Sequence, residues 1–136
     1  MTQEEKQLVL LDLSARLSCG VICKTPKGDG HLCSINQTIF GTEYGININS
    51  IKRDYFNDSE VEEQVVKPYL RPLSDMTKEE LDECRNTCKY RQIGQSILSC
   101  ATTKTFDFLI THHIDFRGLI YMRLALEAPK GMYKIE

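Results

Sequence analysis

At 136 residues the chain is long enough to bury one core and short for two. A hydrophobic share of 41% against 26% charged residues excludes a disordered chain, and a net charge of −2 supplies no global field to draw it to nucleic acid. No stretch approaches the roughly 20 apolar residues of a membrane span.

The first residues, Met1 to Lys6, are acidic where a cleavable signal peptide is basic. A cytoplasmic setting is expected, and the six cysteines read as thiols, not as a disulfide framework. Thr2 and Glu5 have the spacing of a capping box. Leu8, Leu11, Ala15 and Leu10, Leu13, Leu17 follow at helical spacing, and Gly20 suits the left-handed residue after a helix. The spacing predicts a helix over residues 3–18.

Residues 21–25 and 31–35 flank a turn-forming stretch centred on Gly28, which places Cys23 opposite Cys33 and Val21 opposite Ile35. A second turn at Gly41-Thr42 brings Ile35 opposite Ile48, and Ile46 and Ile48 alternate with Asn47 and Asn49. The expected product is an antiparallel meander of three or four strands with the first helix packed on it.

Residues 51–76 read as a strap. Asn57-Asp58-Ser59 is a turn signal, and Pro68 and Pro72 disfavour helix before them while Tyr69 and Leu70 pin the segment to the body. Thr77 and Glu80 form a second capping box, followed by Leu81, Cys84 and Cys88 on one helix face. That helix is broken by Gly94 or extended through Ile93, Ile97 and Cys100. Thr105 is expected to cap a short helix ending at His112-His113, Asp115 to cap a further turn, and residues 124–128 to form a final strand. The predicted class is thus α+β in one domain, 1–136. Helix and meander occupy 1–50, the strap 51–76, and a mainly helical half 77–136.

The cysteines are not expected to make a metal site, and packing is favoured over it. If residues 20–23 are extended, the thiols of Cys19 and Cys23 lie roughly 13 Å apart, too far for one tetrahedral ion. Cys84 and Cys88, at i and i+4 on a helix, make half a site, and buried packing is the plainer role for cysteine here. Cys23 and Cys33 fit that role on the expected core face. His112, His113 and Asp115 could serve a hydrolase or metal enzyme, as ligands or as a base with its orienting carboxylate. A helix end gives the histidines a plainer role, since cations there favour the dipole. Arg117 beside Gly118 offers a fork and free amides to an anion such as a nucleotide, with Arg71 and His113 nearby; alternatively Arg117 locks onto Asp107 or Asp115. Arg85, Lys89, Arg91 and Lys104 form an acid-free strip that reads as a solvated face before a nucleic-acid surface.

Residues 67–80, KPYLRPLSDMTKEE, together with HHIDFRGLI at 112–120 and LALEAPKGMY at 124–133, resemble a recurrent family of small uncharacterised proteins. These are carried by gut Bacteroides-type bacteria and by their phages and prophages. The likeness extends over most of the chain and departs from the pattern at Phe108, where Trp is usual, and at Arg123, where Gly is usual. Cys84 and Cys88 lie outside the pattern. The resemblance implies a phage or mobile-element setting and assigns no activity. With no complete catalytic constellation and no cofactor expected, the leading expectation is a non-catalytic binding or adaptor protein acting on a host protein. The ligand-binding candidates are His113, Asp115, Arg117, Gly118 and Arg71.

Overall fold

Helix α1 (Gln3–Arg16) begins as the sequence predicts, with the Thr2 hydroxyl accepting the Glu5 amide and the Glu5 carboxylate accepting the Thr2 amide. It tightens into a 3-10 turn, Leu17–Cys19, and stops at Gly20 with φ 69. Its buried stripe differs from the expected leucine faces. Val9, Asp12, Leu13 and Arg16 point inward, while Leu11 is exposed. The computed structural model describes residues 1–48, 52–88 and 98–133.

Seven strands follow among the described residues. They are β1 (Ile22–Thr25), β2 (Gly28–Thr38), β3 (Gly41–Asn47), β4 (Arg53–Asn57), β5 (Lys67–Pro72), β6 (Ile114–Asp115) and β7 (Leu126–Glu127). They form one mixed sheet in the order β4-β3-β2-β1-β5-β6, with β7 also on β5. β1 to β4 pair antiparallel, whereas β6 and β7 run parallel to β5.

Both predicted hairpins exist in different registers. The first turns at Pro26-Lys27, held by the Thr25 hydroxyl between the Lys27 amide and the Gly28 carbonyl, so Cys23 faces Gly30 instead of Cys33. That odd displacement reverses the side chains of the second strand. Leu32 therefore fills the core, while Cys33 falls where the β2–β3 register shifts and its thiol turns to the His31 carbonyl. The second hairpin turns at Ile39-Phe40 and pairs Ile35 with Tyr44 instead of Ile48. Gly30 is fixed by contact, since a Cβ there would strike the Asn47 carbonyl and Ile48 Cα.

The strap is a strand. β5 joins β1 through Cys23↔Pro68 and Lys24↔Lys67, and its prolines are tolerated because Leu70 and Arg71 carry bonds to Ala128 and His113. Before it, α2 (Asp58–Glu62) starts from an Asn57–Glu60 capping box. The expectation of a mainly helical C-terminal half is therefore corrected. α3 (Lys78–Asn86) and α4 (Thr103–Thr111) are present, but β6, β7 and irregular turns occupy much of residues 112–133. α4 is capped by Thr102, with Thr105 three residues inside. The readings at Gly94, Ile93, Ile97, Lys89 and Arg91 lie outside the described residues. No described helix is long and apolar enough to cross a membrane.

Val9 and Leu13 of α1 pack against Val21, Leu32, Tyr44 and Ile46 of the sheet in the main core. A smaller cluster joins Cys84 of α3, Leu109 of α4 and Ile114 of β6. After Gly118 the chain makes a turn closed by Arg123 N donating to Ile120 O and Leu124 N to Leu119 O, a Schellman pattern. Arg123 sits there at φ 64, the left-handed conformation that favours glycine. Arg123→Gly is expected to stabilise the protein by about 1 kcal/mol by relieving left-handed strain, read as a higher thermal midpoint.

Candidate functional site

The turn His113–Gly118 is built from both ends. α4 runs out at His112, whose ring stacks on Phe108 one turn earlier at 4.1 Å between centroids. His113 takes the left-handed position after the helix, φ 62, donates its amide to Ile110 O and stacks on Tyr133 at 3.7 Å. The next residues pair with β5 as Arg71↔Ile114 and Pro72↔Asp115. Asp115 then caps as expected. Its Oδ1 accepts the amides of Arg117 (3.3 Å) and Leu119 (3.0 Å), and its Oδ2 that of Ile120 (2.9 Å).

Arg117 is locked, though not onto Asp107 or Asp115. Its Nε donates to Asp12 Oδ1 at 3.1 Å, and its guanidinium lies over the Phe116 ring. The other Asp12 oxygen accepts Arg16 Nε at 2.9 Å, and Arg16 Nη2 donates to the Ile114 carbonyl at 2.7 Å. Asp12 and Arg16 are fully enclosed, and Arg16 Nη1 has no hydrogen-bond partner among the described residues. Sequence reasoning missed both residues. The available signal was an Asp–Arg pair at i,i+4 in helical phase with Val9 and Leu13.

Arg71 spends every donor inside the chain. Nη1 and Nη2 fork onto the Glu80 carboxylate at 2.9 and 2.8 Å, and Nε reaches Asp75 Oδ2 at 2.9 Å. The remaining hydrogens meet the carbonyls of His112 and Asp75. Glu80 also completes the Thr77 capping box. His112 Nδ1 lies 3.1 Å from Glu80 Oε2, inside ion-pair range but poorly aligned for a hydrogen bond.

The candidate residues therefore share a backbone neighbourhood but not one cleft. Arg71 and Glu80 line a cavity of about 310 Å³ with Thr77, Lys130 and Tyr133. His113 lines a different one of about 380 Å³ with Cys19, His31, Thr111 and Tyr133. Arg117 and Gly118 line neither, and Gly118, at φ 78, serves the turn. Among the described residues no group of three or more histidines, cysteines or carboxylates could hold a metal ion. Burial pushes the Cys23 thiol up to about 12 and the Cys84 thiol to about 11, so both pack as neutral small side chains.

Burial, then repulsion from Arg16 and Arg71, pushes the His113 pKa down to about 4, so the helix-end cation expected there does not form near neutral pH. The Arg71 hydrogen bonds hold Glu80 down at about 2 against the cost of burial. Both groups have folded values below their unfolded ones. Each therefore contributes stability that is present above the unfolded pKa and is lost as pH falls. For His113 the window runs from 6.5 to about 4, and for Glu80 from 4.5 to about 2. A thermal midpoint followed against pH should fall through both windows, and His113→Gln should remove the upper one alone.

Comparison with protein-family models, with curated proteins and with solved structures gives no match. The chemistry of the site must then be read from its own geometry.

Proposed function

We propose that this is a non-catalytic binding protein that acts on another protein, in the phage or mobile-element setting the family resemblance implies and in the cytoplasm of a bacterial host. The observation that carries the reading is the turn after Asp115. Three backbone amides hold it to one carboxylate, Arg117 ties it to α1, and it projects Tyr121 into solvent at 92% exposure. A rigid support under an exposed tyrosine lowers the entropy cost of binding, and tyrosine offers apolar area with a polar tip. The guanidiniums of Arg71 and Arg117 are already paired within the chain, which weighs against an anionic ligand at that turn.

The test is retention of a host protein from Bacteroides-type lysate on immobilised protein. A specific partner should be held by the wild type and released at least tenfold faster by Tyr121→Ala at unchanged thermal midpoint. Turnover of a metabolite by the purified protein, with no partner retained, would overturn the reading.

A further inference from the structure

The β2–β3 hairpin carries at its tip two exposed apolar side chains that the turn geometry does not require. Thr38 pairs with Gly41, leaving Ile39-Phe40 as the whole loop. The positive φ of this turn falls on Gly41, at 119, as it does on Gly28 at 126 in the first hairpin, so the backbone asks for no particular side chain at Ile39 or Phe40. The Thr38 hydroxyl accepts the Phe40 amide and donates to the Gly41 carbonyl, which pins the loop. Ile39 and Phe40 stand 94% and 92% exposed. An apolar pair at a pinned apex is costly in water and suited to insertion elsewhere.

The flank of this tip is acidic. Glu43 of β3 faces Asn57, and Asp58 accepts the Thr42 amide, bringing the start of α2 against the hairpin. Glu60, Glu62 and Glu63 continue that segment. Among the described residues, Lys6 makes the ion pairs to this group, with Asp58 and Glu62. An anionic membrane surface or nucleic acid would be repelled here.

The opposite end of β2 offers the complement. A cavity of about 390 Å³ is lined by Lys24, Pro26, Val65, Lys67 and Leu126 among others, with two cations and no acid in its wall. Benzene fits a cavity of roughly 150 Å³, so a phenylalanine ring fits this one with room for its neighbour. Lys24 and Lys67 sit directly opposite each other across β1 and β5, an unfavourable placement for like charges. Neither has an ion pair among the described residues. Asp29, the other cross-strand neighbour of Lys24, takes a hydrogen bond from the Tyr69 hydroxyl.

Tip and socket are separated by the length of β2, roughly 30 Å for an extended strand, so a tip cannot enter the socket of its own chain. We propose that the protein self-associates head to tail. Ile39 and Phe40 of one copy enter the socket of the next, with its carboxylates facing Lys24 and Lys67. The contact is heterologous, so a joined pair leaves one tip and one socket free and assembly grows into rings or filaments. It uses residues distinct from Tyr121, and its failure would leave the partner-binding reading standing.

Sedimentation of purified protein tests this. The wild type should show an average mass that at least doubles with rising concentration and falls with added salt. The tip variant Ile39→Ser/Phe40→Ser and the socket variant Lys24→Glu/Lys67→Glu should each remain monomeric, at thermal midpoints close to the wild type. Mixed together they should form a 1:1 dimer that grows no further, because the mixture joins one intact tip to one intact socket. A wild type that stays monomeric at every concentration would overturn the proposal, as would variants that associate normally or a mixture that forms no dimer. Tip-dependent binding of uncharged lipid vesicles by a monomeric wild type would overturn it in favour of a membrane surface.

Discussion

Asp12→Ala is expected to cost about 3–5 kcal/mol of folding stability, the range found when one partner of a buried ion pair is removed. The enclosed Arg16 would keep its bond to the Ile114 carbonyl but lose the charge that neutralises it. Arg117 loses the same partner and suffers less, because its side chain is partly exposed and can turn to water. The cost therefore falls on Arg16, which cannot shed its proton. Replacing both partners, as Asp12→Leu with Arg16→Met, should recover most of the loss, since neither uncompensated charge remains. Urea unfolding midpoints with an unchanged slope measure both effects. A loss below about 1 kcal/mol for Asp12→Ala would mean that water reaches Arg16 and that the pair is not sealed.

Asp115→Ala is expected to cost about 3 kcal/mol or more, because one carboxylate serves three amides and that of Leu119 is buried. The adjacent Arg117 side chain cannot replace it, because a guanidinium carries donors and no acceptor. Asp115→Asn keeps one acceptor oxygen and should fall between wild type and alanine. Hydrogen exchange gives the local readout. The Leu119 and Ile120 amides should lose protection in Asp115→Ala before the central β2–β3 pairs do. If Tyr121 depends on this support, partner retention should fall in Asp115→Asn even where the fold survives. Equal protection in wild type and alanine variant would show that the turn is held without the Asp115 carboxylate.

Features set by near neighbours are legible in the sequence. The Thr2–Glu5 and Thr77–Glu80 boxes, the left-handed Gly20 and the Asp115 cap depend on residues a few positions apart. The hairpins were legible as hairpins but not in register. One hydroxyl at Thr25 and the close approach at Gly30 shift the first pairing by an odd number of residues, which exchanges Cys33 for Leu32 in the core. A period-two pattern with an apolar residue at both positions cannot make that choice. The helical C-terminal half failed for a different reason. β6 and β7 are two residues each and exist through parallel pairing with β5, a segment more than forty positions earlier. Strands that short carry no periodicity.

The candidate site divides along the same line. His113, Asp115, Arg117, Gly118 and Arg71 stood out because ionisable residues and glycine crowd one stretch. The side chains that occupy them, Asp12, Arg16 and Glu80, lie on other elements. The sequence by itself determined where helices begin, which turns are capped and that an ionic turn exists, because those interactions close within about one helical turn. The tertiary structure alone decided which charge meets which, and so whether the turn is open to an anion or sealed. Buried ion pairs form wherever packing excludes water, and that boundary is drawn by the whole sheet and not by any one of its strands.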